Sequence, residues 1–240
     1  KGIPMILISS TIQIPIAKYV DYHLYFSSYE DFHENFQIEV PDSFNFAYDI
    51  VDEYARLEPE KKALVWCDEK GNKATFTFAD MKYYSVKAAN FYRSIGLKKG
   101  DSVMLILKRK YQYWFALVGL HKIGAIAIPA THLLTKKDIV YRNNAAHVKA
   151  IVATADSHVA DAIDEAAPES PTLQYKILSD GKRDGWLCFE DELEKASADF
   201  IRPTGSEATQ NHDLMLLYFT SGTTGYPKMV THNYAYPLGH

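Results

Sequence analysis

Apolar and polar positions alternate along the chain in two distinct rhythms, and the two trade places repeatedly. From Phe44 to Leu57 the apolar residues Phe44, Ala47, Tyr48, Val51, Tyr54 and Ala55 fall at helical spacing. Ala63–Trp66 and Ala74–Phe78 read as paired strands joined by a Lys70-Gly71-Asn72 turn. A helix is predicted from Ala79 to Ile95, with Met81, Tyr84, Ala88, Phe91 and Ile95 along one face and Gly96 as its stop. Then come a buried strand over Ser102–Leu107, a largely apolar helix over Tyr111–Ile123 capped by Gly124, and a strand over Ala125–Pro129. Thr135 opens a helix reaching Ala146, followed by a strand over Lys149–Ala153, a helix over Ser157–Ala166 and a strand over Tyr175–Leu178. Short apolar strands alternating with helices of this length predict an α/β fold, a mostly parallel sheet with helices on both faces. The polar stretch Arg202–His212 reads as a linker to the next apolar run, Leu214–Phe219. No internal repeat interrupts the alternation.

After that run the pattern breaks. Thr220, Ser221, Gly222, Thr223, Thr224 and Gly225 carry a hydroxyl or no side chain at all, Tyr226-Pro227 and the cation Lys228 follow, and Met229–Thr231 reads as a further strand. Glycine lets backbone N–H groups turn inward and approach anionic oxygens. The hydroxyls donate further bonds, and Lys228 supplies a mobile point charge. Bonds to a charged partner contribute about 1.5–3 kcal/mol each, so a handful would hold a polyphosphate. A plain Ser/Thr/Gly hairpin turn has the same composition. A Walker A loop does not: it needs four residues between its glycines and a helix after its lysine, whereas only Thr223 and Thr224 separate Gly222 from Gly225, and Met229-Val230 favour a strand.

FTSGTTGYPK, with a strand before it and a strand after, resembles the signature loop of the adenylate-forming (AMP-binding) enzymes, the superfamily of acyl-CoA synthetases, firefly-type luciferases and peptide-synthetase adenylation domains. The flanks YFTSGTTG and PKMVTH look most like the medium-chain branch of the acyl-CoA synthetases, and weaker resemblance runs back to Pro41. The resemblance implies ATP-dependent activation of a carboxylic acid, a fatty acid first of all, to an acyl-adenylate, then transfer to coenzyme A, with Mg²⁺ accompanying ATP. It assigns Thr220, Ser221, Gly222, Thr223, Thr224, Gly225 and Lys228 to the β- and γ-phosphates, with Lys228 as the catalytic cation. His232 stands where the family often has a histidine lining the acyl or nucleotide side; a polar residue ending a strand explains it equally. A luciferase or peptide-synthetase type of adenylation domain, and a non-catalytic nucleotide-binding or interaction module, are the alternatives. The family's enzymes are more than twice this length. Residues 18–240 therefore read as the first half of the large N-terminal domain, a portion expected to have little ligase activity alone, with the adenine, ribose and metal ligands and a C-terminal lysine outside it.

Composition changes the picture little. Apolar residues make up 47% and charged residues 23% of the 240, as in ordinary globular proteins. A net charge of −4 gives no electrostatic reason to expect nucleic acid as a partner. Cys67 and Cys188 are too few for a disulfide scaffold, the nine histidines show no HExxH spacing, and a reducing cytoplasm fits. Residues 1–17 form a leader of uncertain origin, basic at Lys1 and apolar from Ile3 to Ile16, too short to span a bilayer and without a clear cleavage site. Lys108 and Arg109 are candidates for coenzyme A phosphates or solvated strand-end charges. Tyr111, Tyr113 and Trp114 read as core aromatics opening a helix, and Tyr234, Tyr236 and His240 as a possible start of an acyl pocket. Glu190, Asp191, Glu192 and Glu194 read as a solvated acidic helix face.

Overall fold

A computed structural model describes residues 15–19, 26–220 and 225–239. Ser221, Gly222, Thr223, Thr224 and His240 lie outside the described residues, as does most of the leader. A short helix α1 (Tyr29–Asn35) begins at a Ser28 cap whose side chain accepts from the Asp31 amide. The helix expected over Phe44–Leu57 is split into a wide π-helical turn, Ala47–Asp52, and a regular helix α2, Glu53–Leu57. Side chains re-aim its start: the Asn45 amide donates to Asp49 Oδ2, and Asn45 Oδ1 accepts from the Ala47 amide.

Strands β1 (Lys62–Cys67) and β2 (Lys73–Thr77) form an antiparallel pair. Asp68 shapes their turn by accepting from the amides of Lys70 and Asn72, and Gly71 takes the positive φ of 83° that a side chain disfavours. Helix α3 (Phe78–Ser94) follows directly, opened by a capping box between Thr77 and Asp80.

The main sheet has seven strands: β3 (Ser102–Ile106), β4 (Ile126–Pro129), β5 (Val148–Thr154), β6 (Tyr175–Ser179), β7 (Leu187–Cys188), β8 (Leu214–Thr220) and β9 (Lys228–Asn233). Their spatial order is β7-β6-β5-β3-β4-β8-β9, parallel throughout except that β9 runs antiparallel to β8. The α/β expectation is met. The crossovers are α4 (Gln112–Ile123), α5 (Lys136–Ala145) and α6 (Val159–Ala166), with α7 (Phe189–Lys195) after β7 and a final turn α8 (Tyr236–Gly239). Thr135 opens α5 with a second capping box to Asp138, and Gly124 ends α4 at φ 76°, both at the expected positions.

The apolar strand runs are continuous because both sheet faces are covered. Val103 and Leu105 of β3, Ala127 of β4 and Val152 of β5 join the core under α3, α4 and α7. Their neighbours Met104, Ile106, Ile128 and Ile151 join a second core under α5 and α6. Helices α3 and α4 approach closely at Gly119, where a Cβ would stand 2.6 Å from the Ala88 Cβ. At the far end of α4, Lys122 is 1% exposed and pairs with Asp52 at 2.5 Å, its ammonium 4.6 Å above the Tyr48 ring. That buried pair fastens the N-terminal helices to the sheet layer.

Two expectations change here. The Arg202–His212 stretch is no free linker: Arg202 bridges Asp49 at 2.6 Å, and the Asn45 amide group donates to Thr209 at 3.0 Å. The acidic helix face is likewise not simply solvated. Glu190 accepts from Ser179 Oγ at 2.8 Å and from the Asp180 amide, while Asp191 and Glu192 pair with Lys182 and Lys195. The carboxylate of Glu190 thus ties α7 to the carboxyl end of β6.

Candidate functional site

In an open parallel sheet the carboxyl ends of the strands share one side, and ligands bind in the crevice outside them, between the loops that lead into the crossovers. Here that side collects Lys108–Lys110 after β3, Ala130–His132 after β4, Asp156 after β5 and Thr220 at the end of β8.

The β8–β9 hairpin carries the hydroxyl and glycine loop. Its ladder pairs Phe219 with Met229 and closes at Thr220 opposite Lys228. The Thr220 hydroxyl donates to the Lys228 carbonyl at 3.4 Å. Gly225 takes φ 146°, a conformation closed to most side chains. The Lys228 side chain is exposed and makes no ion pair among the described residues. Thr220, Gly225 and Lys228 are thus brought together at the strand edge, on either side of residues 221–224.

His232 lies on the same strand as Lys228, opposite Leu216. Its ring is 4.1 Å from that of Tyr236 and meets Tyr218 edge-on at 5.6 Å. Tyr113, its phenol pushed up to about 12 by burial and then by Tyr218, lines a cavity of about 210 Å³ with Leu105, Leu107 and Pro129. Tyr234 does not belong to it: it is fully buried and donates to the His121 carbonyl at 3.2 Å, a core residue rather than a pocket wall. Tyr111 and Tyr113 pack against the cores as expected, whereas Trp114 is 45% exposed.

A larger cavity, about 710 Å³, opens over the ends of β3, β4 and β5 between Trp66, Lys108, Arg109, His132 and Asp156. Arg109 holds φ 52°, the left-handed region that an arginine rarely adopts, and its carbonyl accepts from the Trp66 indole at 2.7 Å. Lys110 is neutralised by Asp180 at 2.7 Å, and that hydrogen bond raises its pKa. Lys70, Lys108 and Arg109 line the cavity as exposed cations with no ion pair among the described residues, beside the carboxylates of Asp68, Glu69 and Asp156. Trp66 and His132 escaped the sequence reading; position after a strand end was the only signal for His132, and none pointed to Trp66. Among the described residues no group of three or more His, Cys, Asp or Glu is placed to hold a metal ion. No helix among the described residues is long and apolar enough to cross a membrane.

Comparison with known proteins agrees with the α/β fold. The mitochondrial acyl-coenzyme A synthetase ACSM5 of Rattus norvegicus is 39% identical over 83% of the chain, and ACSM3 of Mus musculus 35% identical over 88%. The chain spans only 35% and 36% of the lengths of these relatives. Among solved structures, the anthranilate CoA ligase AuaEII in complex with anthranoyl-AMP superposes with a TM-score of 0.70 at 22% identity, over 83% of this chain and 36% of that one. The inhibitor-bound N-terminal domain of FACL13 from Mycobacterium tuberculosis gives a TM-score of 0.66 at 25% identity, over 79% of this chain and 44% of that one. A family model described as AMP-binding enzyme matches residues 51–238. That match takes in most of the sequence, and the chain accordingly belongs to the AMP-binding enzyme family.

Proposed function

We propose that the chain is the phosphate-holding part of an acid–coenzyme A ligase. In the first half-reaction a carboxylate oxygen forms a bond to the α-phosphorus of ATP as the bond to the bridging β-oxygen breaks, and pyrophosphate leaves. In the second, the thiol of coenzyme A attacks the acyl carbon, loses its proton, and AMP departs. Bringing two anions together is the main obstacle, so donors and cations fixed around the phosphates supply most of the rate. The observation that carries this reading is the pairing of Thr220 with Lys228 at the carboxyl end of a parallel strand. Lys228 would meet the departing pyrophosphate, with Thr220, Ser221, Gly222, Thr223, Thr224 and Gly225 wrapping the β- and γ-phosphates.

Lys108 and Arg109, unpaired at the mouth of the larger cavity, suit the phosphates of coenzyme A; Lys110, committed to Asp180, does not. His232, within its cluster of Tyr218 and Tyr236, suits the acyl side. Cys67 and Cys188 are both free, which fits a reducing compartment such as the cytoplasm, while the names of the relatives above say mitochondrial. Residues 18–240 fit the first half of a nucleotide-binding N-terminal domain, supported by the share of its relatives that the chain spans. The test is ATP–pyrophosphate exchange by the natural-length gene product across a panel from acetate through octanoate to aromatic acids. Exchange that depends on one acid class, with thioester formed when coenzyme A is added, is the expected result. Exchange without thioester transfer points to a different acceptor, and no exchange from a folded, ATP-binding protein refutes the ligase.

A further inference from the structure

The limb of the loop that returns to β9 is held by a helix on the neighbouring crossover. Tyr141 of α5 stacks on Tyr226 with ring centroids 4.6 Å apart and planes 22° from parallel. Its hydroxyl donates to the Pro227 carbonyl at 2.8 Å. The same helix grips the outgoing limb: Tyr141 meets Phe219 edge-on at 6.0 Å, and the Arg142 guanidinium lies 5.2 Å over the Phe219 ring. Phe219 packs against the core under this helix, but the Tyr226 contact does not: Tyr226 is 62% exposed, and with Tyr141, Lys136, Lys137 and Asn144 it lines an open cavity of about 550 Å³.

We infer that Tyr141 is a positioning residue for Lys228, which rests on the phosphate-holding role proposed above. The Pro227 carbonyl and the Lys228 amide share one rigid peptide plane, so a hydrogen bond at that oxygen sets the direction in which the Lys228 Cα leaves the loop. On its other side Lys228 is held through its own carbonyl by the Thr220 hydroxyl. The lysine is thereby anchored at both flanking peptides while its ammonium stays free to meet an anion. Tyr141 does this from outside the site, through Pro227, and touches no reactant.

The test uses the natural-length enzyme and the variants Tyr141→Phe, Tyr226→Ala and Lys228→Ala. Tyr141→Phe deletes one hydroxyl and keeps the ring. It is expected to raise the KM for ATP about two- to tenfold, the worth of one hydrogen bond, with the KM for the acid and the melting temperature unchanged. Amide hydrogen exchange over residues 225–230 is expected to quicken in Tyr141→Phe and Tyr226→Ala, with the exchange of β3 and β5 unaltered. In a Lys228→Ala background the further change to Tyr141→Phe should cost nothing more, because the tyrosine acts only through the lysine. An unchanged KM for ATP in Tyr141→Phe, or the same loss in both backgrounds, overturns the assignment while leaving the phosphate reading intact. A Lys228→Ala enzyme with the parent rate over KM for ATP overturns both.

Discussion

At the scale of single residues, two positions show how sharply the interior is specified. Gly119 lets α4 lie against α3, and a methyl group there would meet Ala88 Cβ at 2.6 Å and the Ser85 carbonyl at 3.1 Å, both on the facing helix. Gly119→Ala should therefore destabilise the protein by about 1–3 kcal/mol despite alanine's better helix propensity, measured as a lower urea midpoint. His121 is the second. Its ring is fully buried with neither nitrogen hydrogen-bonded, and desolvation pushes its pKa down to about 3. The folded state keeps this imidazole neutral while the unfolded chain takes up a proton below about pH 6.5, so its contribution to stability is full above that pH and is lost as the pH falls toward the folded value. Between pH 7 and pH 5 this amounts to about 2 kcal/mol, and His121→Leu should flatten the slope of stability against pH in that window. An unchanged slope would mean that the ring is hydrated or paired. Neither property was legible in the sequence: Gly119 lies mid-helix with no turn to explain it, and His121 reads as one more polar residue on an apolar helix.

At the scale of elements, period and punctuation carried most of the information. Continuous apolar runs over β3, β5 and β8 mark strands buried on two faces, and Gly96, Gly124 and Thr135 mark helix ends for backbone reasons that hold in any context. What escaped were features decided by tertiary partners. The two-residue strand β7 has no pattern to read, and the turn of Ala47–Asp52 opens where Asp49 accepts from the Asn45 amide and the Asn45 side chain accepts from the Ala47 amide. Glu190 looked solvated because its partners Ser179 and Asp180 stand on another element. Two predictions belong here. Thr135→Ala removes the capping box of α5, the helix that bears Tyr141, and should cost about 1 kcal/mol in thermal or urea unfolding. Arg109→Ala should raise the KM for coenzyme A severalfold, more at low than at high salt, and leave the KM for ATP alone, since a cation at a cavity mouth acts through a screened field. An equal rise in both constants would place the guanidinium elsewhere in the mechanism.

At the scale of the molecule, the layout of the sheet decides where the chemistry can sit. Six parallel strands open their carboxyl ends on one side, and that side receives both the loop of β8 and the cavity over β3 to β5. The loop was legible because its hydroxyls, glycines and lysine sit close together in sequence. The cavity was not, because Trp66, Arg109 and His132 come from three separate segments that only the fold assembles. The central claim is that Lys228, held opposite Thr220, manages the charge of the polyphosphate during adenylation. Its most direct measurement is acid-dependent ATP–pyrophosphate exchange by the natural-length protein beside its Lys228→Ala variant, with ATP titrated at saturating acid. The account predicts exchange in the parent, and in the variant a loss of about tenfold or more in rate over KM for ATP, the worth of one charge-assisted bond, with the acid dependence retained. Equal exchange by the two proteins would contradict it.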